Sequence, residues 1–136
     1  MEGNSVLVKD AMSKNAITAK AGDLVADIAK IMVEREIGGV IIVDDDMFPI
    51  GIVTEGDIVR NLVAKKMDLE DTVAKDIMTT PVITITDDIE LSAAARLMAA
   101  RHIKKLCIVD LDGKLKGIMT ESDVIKHAGY LIKLFQ

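Results

Sequence analysis

Two ten-residue stretches decide the fold: REIGGVIIVD at 35–44 and RHIKKLCIVD at 101–110. They lie 66 residues apart. So do GIVTEGDIV (51–59) and GIMTESDVI (117–125), KDAM (9–12) and KDIM (75–78), and Ile17-Thr18 and Ile83-Thr84. Between 8–61 and 74–127, 18 of 54 positions are identical without a gap. Chance gives roughly 3 to 5 for such a composition. Self-similarity at a fixed offset is an internal repeat, and two copies are fewer than the about three a solenoid needs. The expectation is a pseudo-twofold pair in which each copy buries the other's exposed face.

Within one copy the order reads β-α-β-β-α, an α/β (α+β) unit. AIT (16–18) and VIT (82–84) are short extended runs. Leu24, Ile28, Ile31 and Met32 recur at helical spacing over 23–35, as do Leu91, Ala94, Ala95 and Met98 in the second copy. Gly38-Gly39 are expected to end the first of these helices. VIIV (40–43) and LCIV (106–109) are continuous apolar runs, the mark of strands buried on both faces. DDDMFP (44–49) and DLDGK (110–114) read as hairpin turns, and IGIV (50–53) and KGIM (116–119) as the returning strands. A helix should start after Thr54 and after Thr120. The repeats are placed at 8–64 and 74–127, with a charged linker at 65–73 and a tail at 128–136.

Composition narrows the function. Of 136 residues, 50% are apolar and 29% charged, enough for a core without staples. The single cysteine, Cys107, excludes an internal disulfide and a multi-cysteine metal site. Its place inside LCIV reads as core. His102 and His127 have no partners at metal-ligand spacing, and Asp44-Asp45-Asp46 read as a polar turn, so no metal is expected. A net charge of −5 and only three aromatics (Phe48, Tyr130 and Phe135) argue against nucleic acid. No apolar run approaches the roughly 18 residues of a membrane span, and the start lacks a signal peptide's basic and apolar regions. The expected setting is cytoplasmic. A mean hydropathy of +0.32 suggests surplus apolar surface in a subunit interface, hence a homodimer, with the tail carrying Leu131, Ile132, Leu134 and Phe135 as a contact.

The sequence resembles the CBS domain, named for cystathionine β-synthase, in its usual tandem pair. The resemblance rests on KDAMS and KDIMT before the first strand, IGGVIIVD and IKKLCIVD, and GIVTEGD and GIMTESD, in order and at one offset over about residues 8–127. It implies two sheet-packed lobes that bind an adenosine-containing ligand between them and commonly dimerise into a disk. The ligand would regulate a partner protein, since no effector domain is visible in the chain. The resemblance implies neither an enzyme nor a required cofactor. Which of AMP, ADP, ATP, an S-adenosyl compound or a dinucleotide binds stays open, as does the partner. The rival readings are a ligand-free dimerisation or scaffold module, a nucleic-acid-associated regulator, and an enzyme that uses the cleft for hydrolysis of the bound nucleotide.

The candidate site follows. Thr54/Asp57 and Thr120/Asp123 form Thr-x-x-Asp pairs. By themselves these are capping boxes for the next helix. They also suit a ribose, whose vicinal hydroxyls are two donors that one carboxylate can accept together. Ile52 and Ile118 share the strand face of each Thr, and Ile37 and Ile103 start the neighbouring strand. The resemblance makes these four the walls for adenine, with Ile17 and Ile83 offering backbone groups to the base edge. Each is equally well read as plain core. For phosphate, the second copy offers Arg101, His102, Lys104 and Lys105, where the first has Arg35, Glu36, Gly38 and Gly39. The second site is expected to prefer the more highly charged nucleotide.

Overall fold

A computed structural model describes residues 6–129 and 132. Two compact units appear: residues 16–82, here the central unit, and the chain on either side of them, here the flanking unit.

In the central unit, β1 (Thr18–Ala19) runs parallel to β2 (Gly39–Val43), which pairs antiparallel with β3 (Pro49–Thr54). All five residues of β2 are buried, as its unbroken apolar run requires. β3 alternates instead: Gly51 and Val53 are buried, while Ile50, Ile52 and Thr54 are partly exposed. The helix α2 (Val25–Arg35) turns Val25, Ile28 and Met32 onto Val40, Ile42 and Val53. Each fully buried branched side chain there contributes about 1.5–3 kcal/mol relative to exposure. After β3 comes a single helical turn, α3 (Glu55–Ile58), which passes into a π-helical stretch over Val59–Ala64.

The flanking unit repeats the plan with β4 (Thr84–Ile85), β5 (Lys105–Val109) and β6 (Leu115–Thr120), again in the order of the chain. Its helices are α5 (Leu91–Arg101) and α6 (Glu121–Lys126). Leu91, Ala94, Met98, Leu106, Ile108 and Met119 form its core. The fold is thus mixed α+β, with two three-stranded sheets matching the tandem repeat.

Two features depart from a simple reading of the chain. The first is where α2 ends. It stops at Arg35, and Glu36 takes the left-handed conformation (φ 54°) that Gly38-Gly39 were expected to supply. His102 does the same after α5 (φ 54°). The glycines come too late, because the chain must already be extended at Gly39 to pair with Thr54.

The second feature is that packing and repeat are out of phase. The short turn α1 (Val8–Ala11) precedes the first repeat's strands but packs in the flanking unit. There Val8 N–H donates to the Ile89 carbonyl at 2.9 Å, and Ser13 pairs with Ile118. Its counterpart α4 (Ala74–Ile77) packs in the central unit, where Ala74 N–H donates to the Asp23 carbonyl at 2.9 Å and Thr79 pairs with Ile52. Glycine makes room for each. A Cβ on Gly117 would stand 2.6 Å from the Ser13 carbonyl oxygen, and one on Gly51 would stand 2.4 Å from the Met78 sulphur.

Candidate functional site

Each Thr-x-x-Asp pair sits where an antiparallel strand hands over to a helix. Thr54 ends β3 with extended backbone (φ −114°), and its hydroxyl accepts the Asp57 N–H at 3.2 Å. Asp57 Oδ2 in return accepts the Thr54 N–H at 2.9 Å and the Thr54 hydroxyl at 3.0 Å. Thr120 and Asp123 repeat this after β6, with 3.3 Å for the N–H on the hydroxyl, and 2.8 and 3.1 Å for the two bonds to Oδ2. Both copies therefore make complete capping boxes. The first amide of each helix is also satisfied: Glu55 N–H donates to Gly38 O at 3.1 Å and Glu121 N–H to Lys104 O at 2.9 Å.

The two carboxylates differ at the other oxygen. Asp57 Oδ1 accepts the Arg60 guanidinium and the Thr79 hydroxyl, both at 2.8 Å, and the residue is 3% exposed. Asp123 Oδ1 has the Lys126 ammonium 4.0 Å away. Ser13, the counterpart of Thr79, directs its oxygen elsewhere, accepting the Asn15 N–H at 3.3 Å. Beside the cradles, Asn61 Nδ2 donates to Asp57 O at 2.7 Å, and His127 Nδ1 lies 3.1 Å from Asp123 O. Arg60 and Thr79 were not among the residues singled out from the sequence. The correspondence of Ser13 and Thr79 in the repeat alignment, a hydroxyl directly after KDAM and KDIM, was the available signal.

The remaining candidates separate. Ile52 and Ile118 lie on the partly exposed strand face with Thr54 and Thr120. Ile37 and Gly38 instead line a cavity of about 460 Å³ with Met32, Glu36 and Ile58. Ile103, His102 and Lys104 line a matching cavity of about 430 Å³ with Met98 and Val124. None of the four Thr-x-x-Asp residues lines either cavity. The Ile17 and Ile83 carbonyls accept the Ile41 and Cys107 N–H groups, each at 3.3 Å, and so are engaged in the sheets. Gly39 is buried in β2. Arg35 and Arg101 are exposed in the last turns of α2 and α5. Lys104 is exposed, whereas Lys105 is half-buried in β5 opposite Thr120. Cys107 is buried, and desolvation pushes its thiol up to about 12. No group of three or more His, Cys, Asp or Glu among the described residues is placed to hold a metal ion. No described helix is long and apolar enough to cross a membrane.

A family model for the CBS domain matches residues 8–64 and again 74–130. The chain belongs to the CBS-domain family. Its CBS pair is 39% identical over 128 residues to an uncharacterized protein of Methanopyrus kandleri, covering 94% of this chain and 65% of that protein, just under two-thirds of its length. It is 32% identical over 117 residues to the inosine-5′-monophosphate dehydrogenase of Methanocaldococcus jannaschii, covering 86% of this chain but 22% of the enzyme. Among solved structures, a CBS domain pair in complex with 5′-methylthioadenosine and S-adenosyl-L-methionine matches with TM-score 0.83 and 31% identity over 91% of this chain and 100% of that one. An uncharacterized conserved protein from Pyrococcus horikoshii matches with TM-score 0.82 and 28% identity over 91% and 92%.

Proposed function

We propose that this CBS pair is a regulatory module of the cytoplasm, not a catalyst, that binds an adenosine-containing ligand and passes the resulting change to a partner protein. The observation that carries the reading is the carboxylate-hydroxyl cradle at the end of β3 and β6, each beside a partly exposed isoleucine. A ribose offers two adjacent O–H donors to such a carboxylate, and a purine offers a flat face to Ile52 or Ile118. The solved CBS pair that binds 5′-methylthioadenosine and S-adenosyl-L-methionine supports the class of ligand. Ile37, Ile103, Ile17 and Ile83 remain proposed base contacts. Lys104, Lys105, Arg101 and His102, with Arg35, Gly38 and Gly39 in the first copy, remain proposed phosphate contacts. Regulation follows by population shift: a ligand that binds one conformation more tightly favours it by that difference in affinity.

A homodimer belongs to the same proposal. Val33, Val59 and Val63 in the central unit and Ile125 in the flanking unit are more than half exposed. Such side chains suit an interface between copies. Of the tail assigned to this contact, Ile132 is 57% exposed, while Leu131, Leu134 and Phe135 lie outside the described residues.

A thermal-shift panel of AMP, ADP, ATP, S-adenosylmethionine, 5′-methylthioadenosine and a dinucleotide tests the reading. A ligand at a hundred times its Kd adds about 2.7 kcal/mol, a rise of several degrees for a domain of this size. A panel without any shift would leave the scaffold reading in its place.

A further inference from the structure

Asp57 and Asp123 stand at matching points of the repeat, yet only one has acceptor capacity to spare. An ionised carboxylate offers about four lone-pair sites. Asp57 fills them from within the protein: Thr54 N–H and hydroxyl on Oδ2, and the Arg60 guanidinium and Thr79 hydroxyl on Oδ1. Among the described residues, Asp123 receives hydrogen bonds only from the Thr120 N–H and hydroxyl, both on Oδ2. The Lys126 ammonium, at 4.0 Å from Oδ1, is beyond hydrogen-bond reach.

We propose that Asp57, Arg60 and Thr79 form a latch that holds the first cradle shut, so that the chain takes one diol-bearing adenosine ligand, at Asp123. This rests on the adenosine reading above and adds which copy binds and what closes the other.

Three substitutions between the copies produce the difference. Arg60 aligns in the repeat with Lys126: the planar guanidinium reaches its own carboxylate's Oδ1 from one turn away at 2.8 Å, whereas the ammonium stands 4.0 Å from its own. Gly56 faces Ser122. A Cβ at 56 would lie 2.9 Å from Arg60 Nη1, so the glycine leaves the guanidinium its path. Thr79, which donates to Asp57, aligns in the repeat with Ser13, whose oxygen accepts the Asn15 N–H and which makes no matching bond to Asp123 among the described residues. A diol approaching the buried Asp57 must displace two charge-assisted donors, at a cost the ligand has to recover. At Asp123 no described residue donates a hydrogen bond to Oδ1, so its lone pairs can take the two hydroxyls beside the Lys126 ammonium at 4.0 Å.

Calorimetry on the full chain with AMP, S-adenosylmethionine and 5′-methylthioadenosine decides the point. The expected result is one ligand per chain, at least about tenfold weakening by a 2′-deoxy analogue of the ligand that binds, and loss of binding in Asp123→Asn. Arg60→Ala combined with Thr79→Val should open a second site and raise the stoichiometry to two. The inference is overturned if the parent already binds two, if Asp123→Asn binds normally, or if the double variant stays at one. A ligand-free arm separates this from the adenosine reading. In urea unfolding, Asp57→Asn and Thr79→Val should be non-additive, and Asp123→Asn and Ser13→Ala additive. Additive effects at 57 and 79 overturn the latch even where ligands bind. Strong coupling with no adenosine compound binding overturns the adenosine reading and supports the latch.

Discussion

The two CBS repeats share a backbone plan but treat one carboxylate in opposite ways. In the central unit Asp57 is a structural hub, tied to its own cap, to the π-helical stretch through Arg60 and to the segment after α4 through Thr79. In the flanking unit Asp123 has its cap and a Lys126 ammonium at 4.0 Å, and remains partly accessible, its side chain 13% exposed. Local sequence identity thus preserves the cap, while the two donors that decide whether the carboxylate is available, Arg60 and Thr79, lie outside the Thr-x-x-Asp motif. A π-helical insertion, which often marks a functional position, occurs after α3, whereas the helix after β6 stops at Lys126.

The largest difference between the units should come from their glycines. Gly117→Ala forces a Cβ to 2.6 Å from a backbone oxygen of Ser13, which cannot step aside without breaking the Ser13–Ile118 pairing. We expect a loss of about 3 kcal/mol in urea unfolding. Gly51→Ala meets the flexible Met78 side chain and should cost about 1–2 kcal/mol. Equal losses would mean that α1 and α4 dock with equal tolerance and would remove this contrast.

The next effect is at the hub. Asp57→Asn exchanges a buried acceptor for an amide whose NH₂ must face donors, so about 2 kcal/mol should be lost. Asp123→Asn keeps most of its capping and should lose less than about 1 kcal/mol. If the two variants melt alike, Asp57 is no hub. Arg60→Ala should cost about 1 kcal/mol, because its guanidinium is largely in water. Lys126→Ala should be near neutral by the same assay.

The smallest effect is electrostatic and belongs to the flanking unit. Lys116 donates to Asp87 at 2.8 Å, and the first repeat has Ile50 and Ala21 at the matching places. The ion pair holds the Asp87 carboxyl below its ordinary value of 3.8 and Lys116 above 10.5. Asp87 thus contributes stability above its unfolded pKa, which is lost as pH falls through the lowered folded value. Lys116 contributes below its unfolded pKa, and that is lost as pH rises through the raised folded value. Across the neutral range the pair should be flat. Lys116→Ala should flatten the stability profile slightly at both extremes; an unchanged profile in a pH series of melts would show that solvent screens the pair entirely.

The sequence by itself determined the tandem repeat, the α+β order, the buried central strands and both capping boxes. These rest on short-range rules: apolar runs, period-two alternation, and a Thr followed three residues later by an Asp. Helix α2 was legible from Leu24, Ile28, Ile31 and Met32, although its buried face starts at Val25, and its end was not legible, since Glu36 adopts a left-handed conformation that nothing in its side chain announces. Only the tertiary structure decided which short turn completes which sheet and what reaches Asp57. Thr79 lies 22 residues from its carboxylate partner. The bond forms because Thr79, two residues past the end of α4, pairs with Ile52, a contact set by the three-dimensional path of the chain. A motif states which atoms can accept a hydrogen bond; only packing brings up the donors that have already taken it.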